Sequence, residues 1–150
     1  MPQSLSKLYI HLVFSTKGRT DTLPKAHLME VHAYMAQILN SNNCKAISVG
    51  GTSNHVHLLF ILSRTNSLAD IVRLIKSNSA KWINEHNGLL NQFCWQDGYG
   101  AFSVSQSQVQ KVVDYIKNQE THHYKKSFME EYKQLLDAHG IGYDEKYMWD

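Results

Sequence analysis

Cys44-Lys45-Ala46-Ile47-Ser48-Val49-Gly50-Gly51 and His55-Val56-His57-Leu58-Leu59-Phe60-Ile61-Leu62 are two runs rich in apolar and β-branched residues. The short link Gly50-Gly51-Thr52-Ser53-Asn54 between them is turn-forming. Together they predict a β-hairpin. Side chains alternate across a strand, so His55, His57, Leu59 and Ile61 face one way and Val56, Leu58, Phe60 and Leu62 the other. Beyond the histidines both faces are apolar, which predicts a central strand covered on both sides.

Working outward, Lys7 to Ser15 (KLYIHLVFS) reads as a further strand, and Thr16 to Thr22 as a loop. Pro24 opens a helix marked by Leu28, Val31, His32, Met35 and Leu39 and ending near Asn40. Ser67 with Asp70 resembles a capping box for a helix to about His86, with Leu68, Ile71, Val72, Ile75 and Trp82 on one face. A D-G turn at 97–98 precedes a strand over Ala101 to Ser105. Val109, Val112, Val113 and Ile116 mark a helix from near Ser107, and a last helix spans about Phe128 to Ala138 before Gly140. This order predicts an α+β fold: a ferredoxin-like or RRM-like antiparallel sheet, helices on one face, and a C-terminal helix. The chain divides into no linkers or repeats. It reads as one domain over 1–150, with a helix over about 107–126 and an acidic tail helix over 127–150.

The 150 residues carry 43% hydrophobic and 19% charged side chains, as an ordinary globular domain does. The longest apolar run, His57 to Leu62, is too short to span a bilayer, and the MPQSLSK start lacks an apolar signal core. The cytoplasm is therefore the expected location. Cys44 and Cys94 form no short-spaced motif and are expected to be free thiols. Net charge is only +2, but its distribution is uneven. Residues 1–126 hold 13 Lys/Arg and 7 Asp/Glu, a net of +6; residues 127–150 hold 2 and 6, a net of −4. A basic body suggests a polyanionic partner.

Three segments carry chemistry. In His55-Val56-His57 the two imidazoles share a strand face and are placed to share one metal ion. Tyr115 and Gln119 stand at i and i+4, neighbours on a helix surface beside its apolar stripe. In Trp95-Gln96-Asp97-Gly98-Tyr99-Gly100-Ala101-Phe102-Ser103-Val104 the glycines permit a tight turn and the aromatics suit base stacking, although Trp95 and Phe102 are assigned to the core. Each segment alone also has a plainer reading: a chance H-x-H, an amphipathic helix with an incidental rim tyrosine, and ordinary core aromatics.

Taken in order, these segments resemble the small single-tyrosine HUH transposases of bacterial insertion sequences, including relatives that act on repetitive palindromes. His55-Val56-His57 matches the HUH signature, and Tyr115 with Gln119 matches the single tyrosine and helical glutamine. The similarity runs from Tyr9-Ile10-His11 through WQDGYGAFSVS, YIKNQETHH and HGIGYDEKY, nearly the whole chain. The resemblance implies a DNA transposase that cuts and rejoins single-stranded DNA at the hairpin ends of a mobile element. Tyr115 would be the nucleophile, forming a 5′-phosphotyrosine. His55, His57 and Gln119 would hold Mg²⁺ or Mn²⁺. It also implies a homodimer in which the tyrosine helix of one subunit completes the other's site. His11, Arg73, Lys76, Lys81, Lys111, Lys117, His122 and His123 are further candidates for DNA contact. Two other readings stay open at this point: a non-catalytic module binding single-stranded nucleic acid, and a metal-dependent phosphodiester hydrolase. A domesticated or inactive relative of the transposases is a third.

Overall fold

The computed structural model describes residues 2–86, 92–119 and 126–149. Strands β1 (Tyr9–Ser15), β2 (Lys45–Gly51), β3 (His55–Ile61) and β4 (Gly100–Val104) form one antiparallel sheet in the order β2-β3-β1-β4. The helices are α1 (Leu28–Ser41), α2 (Leu68–His86), α3 (Val109–Lys117) and α4 (Phe128–Ala138). The Ser67 hydroxyl accepts from Asp70 N–H at 3.1 Å and caps α2. The Ser127 hydroxyl does the same for α4 through Glu130 N–H. No helix among the described residues is long and apolar enough to cross a membrane. Cys44 is buried and Cys94 exposed, both free thiols.

Alternation along β1 and β3 divides the molecule into two layers. Leu12, Phe14, Val56, Leu58 and Phe60 point to one face and form the main core with Val31, Met35 and Leu39 of α1 and Ile71, Ile75 and Ile83 of α2. Trp95 joins this core, its Nε1–H donating to Ser79 Oγ at 2.9 Å. On the opposite face α3 lays Val109, Val112, Val113 and Ile116 against Tyr9 and Leu59. Here α4 packs Phe128, Tyr132 and Leu136 on Val13 and Phe102. Two helices therefore cover one face, as expected, while the C-terminal pair covers the other. As a result β3 is buried on both sides.

The tail departs from the acidic helix expected over 127–150. The helix stops at Ala138, where Gly140 takes φ 65°. The chain then turns back so that Met148 and Trp149 pack on the α4 cluster, and the Arg19 guanidinium stands 4.6 Å from the Trp149 ring centre.

His32 of α1 sits over β2, and its Nε2 is buried with no hydrogen-bond partner among the described residues. Burial pushes its pKa from 6.5 down to about 4. The unfolded chain therefore binds the extra proton between pH 6.5 and about 4. Stability is full above that window and falls as pH drops through it, by on the order of 3 kcal/mol for this one group. His32→Leu is expected to flatten that part of the stability curve. Urea unfolding at pH 7 and pH 4.5 measures it, and equal slopes in both proteins would refute the assignment.

Candidate active site

His55 and His57 lie on the sheet face that α3 and α4 cover, and both are fully buried. Across the β1 register they sit opposite Ser15 and Val13. His11, opposite Leu59, is their diagonal neighbour on the same face, and its Nε2 lies 2.8 Å from His57 Nδ1. Burial, then the neighbouring His57, pushes the His11 pKa down to about 3, so this ring is neutral and orients His57.

Helix α3 can reach this face because Gly50 lets it approach β2. A Cβ there would lie 2.8 Å from the Ile116 carbonyl oxygen. Tyr115 consequently stands edge-on to His57, with ring centres 5.6 Å apart, and to His11, at 6.3 Å. Gln119, just past the end of α3, places Oε1 2.9 Å from His55 Nε2. The phenol of Tyr115 is thus beside the imidazole pair of its own chain. Helix α3 packs on the sheet of the chain that carries it.

One residue at the centre of this site went unnoticed in the sequence. Glu131 of α4 is 2% exposed. Its Oε1 lies 3.0 Å from His57 Nε2 and 3.6 Å from His55 Nε2, and its Oε2 accepts from the Tyr115 hydroxyl and from Gln119 Nε2–H. The tail's acidic composition disguised it, but a local signal existed. Glu131 falls three residues after Phe128 and four before Leu135, within the apolar stripe of α4, where a carboxylate is buried. Burial of the phenol, then the charge of Glu131, raises the Tyr115 pKa far above its ordinary value. The phenol is therefore protonated in this arrangement.

The hydrogen bonds around His55 test whether a cation fits. Asn54 Nδ2–H donates to the Arg19 carbonyl, which turns Asn54 Oδ1 toward His55 Nδ1 at 2.8 Å. The ring then donates from Nδ1 and presents a lone pair at Nε2. Gln119 donates from Nε2 to the Tyr115 carbonyl and to Glu131, which turns its Oε1 to the same point. Two acceptors thus meet at 2.9 Å, with a carboxylate oxygen beside them. That is a place for a divalent cation. The donor set therefore fits the metal that the resemblance implies.

The basic candidates lie elsewhere. Arg73 pairs with Asp70 at 3.1 Å, and Arg73, Lys76 and Lys81 line a groove along α2, a helix on the other sheet face. The ammonium of Lys76 donates to the carbonyls of Gln96, Asp97 and Gly98, so it holds the turn at 96–98. Lys111 and Lys117 are exposed on α3, and Lys117 lines a groove with Gln119, Gly50 and Met29. His122 and His123 lie outside the described residues.

The sequence model of IS200-like transposases matches residues 4–119. The chain belongs to the IS200-like transposase family. It is thus a DNA-processing enzyme of the transposase class. Among solved structures, it is similar to a candidate transposase from Deinococcus radiodurans R1, with 23% identity and a TM-score of 0.63 over 79% of this chain and 98% of that one. A REP-associated tyrosine transposase bound to a REP hairpin is similar at 14% identity and a TM-score of 0.60, over 82% of this chain and 73% of that one. These similarities show that this IS200-like transposase shares their α+β fold. No curated protein sequence matches the chain.

Proposed function

We propose that this IS200-like transposase cuts and rejoins single-stranded DNA through a covalent tyrosine intermediate. The observation that carries this reading is the placement of the Tyr115 phenol beside the buried His55–His57 pair of the same chain. In the first step the Tyr115 oxygen attacks the scissile phosphorus. The O–P bond forms as the P–O3′ bond breaks, leaving a 5′-phosphotyrosine and a free 3′-OH. The phenol proton passes to Glu131 Oε2, which gives it to the departing O3′. Rejoining is the reverse, a 3′-OH attacking the phosphotyrosine, and it needs no external energy because the phosphodiester energy is conserved. His55, His57 and Gln119 would hold a Mg²⁺ or Mn²⁺ ion, which when bound polarises the phosphate and favours the phenolate. His11 keeps His57 in the ring orientation such binding needs.

For the substrate we propose a single-stranded DNA hairpin at an element end, with the exposed Lys111 and Lys117 of α3 as phosphate contacts beside the site. The similar fold bound to a REP hairpin supports this choice. We propose in addition that the protein acts as a homodimer.

The test is to incubate the protein with single-stranded DNA from the flanks of its gene and Mn²⁺, then to weigh the denatured protein. A mass increase equal to the 5′-phosphorylated fragment is expected. Cleaved DNA with unmodified protein would identify a hydrolase, and binding without cleavage a non-catalytic module.

A further inference from the structure

Glu131 lies outside residues 4–119, the segment matched by the family model, yet its carboxylate is buried at the centre of the imidazole cluster. We propose that Glu131 Oε1 is itself a metal ligand, supplied by α4. With His55 Nε2, His57 Nε2 and Gln119 Oε1 it completes a four-donor set that takes a transition dication such as Mn²⁺ in preference to Mg²⁺. The inference rests on the metal-dependent reading above and deepens it.

The donor separations support a single shared ion. Gln119 Oε1 is 2.9 Å from His55 Nε2, and Glu131 Oε1 is 3.0 and 3.6 Å from the two imidazole nitrogens. The donors of His55, His57 and Glu131 all lie within 4.8 Å of one another. Around an ion with bonds of about 2.1 Å, adjacent donors stand roughly 3.0–3.4 Å apart in octahedral or tetrahedral order. The two carboxylate oxygens divide their work. Oε2 meets the Tyr115 hydroxyl and Gln119 Nε2–H, while Oε1 faces the imidazoles.

Rigidity supports it as well. Glu131 is carried between Phe128 and Tyr132, whose rings pack into the cluster with Val13 and Phe102, so the carboxylate is held in place by a packed helix.

Selectivity follows from the donor types. Two imidazoles and an amide bring no charge; Glu131 adds the one negative charge that attracts a dication. Mg²⁺ prefers oxygen ligands and gives up its waters reluctantly, whereas imidazole nitrogen suits transition ions. Two imidazoles, an amide oxygen and a carboxylate are therefore a better set for Mn²⁺ than for Mg²⁺.

The test is calorimetric titration of the full, EDTA-treated chain with Mn²⁺ and then Mg²⁺. Wild type is expected to bind one Mn²⁺ per chain, more tightly than Mg²⁺. Glu131→Gln, which keeps the size but removes the charge, should weaken Mn²⁺ binding at least about tenfold and narrow the Mn²⁺/Mg²⁺ ratio. His57→Ala is the control for the site as a whole and should bind neither ion. Unchanged Mn²⁺ affinity in Glu131→Gln, with binding lost in His57→Ala, would overturn the role of Glu131 and leave the metal-dependent reading standing. Wild type that binds no Mn²⁺ would overturn both. Melting in EDTA checks that each variant folds. If Glu131→Gln does not fold, Glu131→Asp decides: it withdraws the oxygen by one methylene, and an affinity equal to wild type would overturn the proposal.

Discussion

Tyr115→Phe is expected to lower covalent attachment to single-stranded DNA by at least about 10,000-fold, the scale seen when a covalent nucleophile is removed. The ring itself should stay where it is. It is held edge-on to His57 and His11, and α3 is anchored by Val109, Val112, Val113 and Ile116. The hydroxyl is lost with its hydrogen bonds to Glu131 and Gln119, a change on the order of 1–3 kcal/mol in stability. The variant should therefore bind a DNA hairpin like the wild type while forming no adduct. Denaturing gels with end-labelled DNA and fluorescence anisotropy measure the two properties separately. An adduct that survives in Tyr115→Phe would place the nucleophile elsewhere. Loss of hairpin binding alongside it would mean that the phenol serves recognition.

His57→Ala carries the second large effect, on function and on fold together. His57 is fully buried, with His11 Nε2 at one ring nitrogen and Glu131 Oε1 at the other. Truncation opens a cavity and leaves both neighbours short of a partner, an expected loss of about 2–5 kcal/mol in stability. Adduct formation should fall about 1,000-fold, the several kcal/mol that a catalytic cation supplies. His11→Ala provides the comparison, because it removes only the orienting contact. It should leave Mn²⁺ bound, with affinity lower by about 10–100-fold. Rates for the two variants at saturating Mn²⁺ separate loss of a ligand from loss of orientation. If His57→Ala cleaves as fast as wild type, the imidazole pair has no part in catalysis.

Much of the fold was readable from local pattern. The hairpin of β2 and β3 and the helix Phe128–Ala138 follow from strand alternation, turn residues and the Gly140 boundary. The shared direction of His55 and His57 follows from the two-residue period of a strand, and that of Tyr115 and Gln119 from the i, i+4 geometry of a helix. Lys76 was less readable. In sequence it is one more basic residue on α2, but in space its ammonium meets three carbonyls of the turn at 96–98. Composition cannot distinguish a lysine that reaches solvent from one that caps a loop twenty residues away.

Glu131 shows the same limit more sharply. Its place in the α4 stripe marks it as buried, yet nothing local says that its carboxylate meets imidazoles seventy-four residues back in the chain. Strands, helices and the grouping of side chains on one face are legible locally, because they depend on spacings within one element. Long-range packing put α3 and α4 over the histidine face. It alone placed the phenol beside the imidazoles of its own chain and brought Glu131 between them. These are contacts between elements far apart in sequence, and they arise from the packing of apolar stripes and the close approach that Gly50 allows, which no local period encodes.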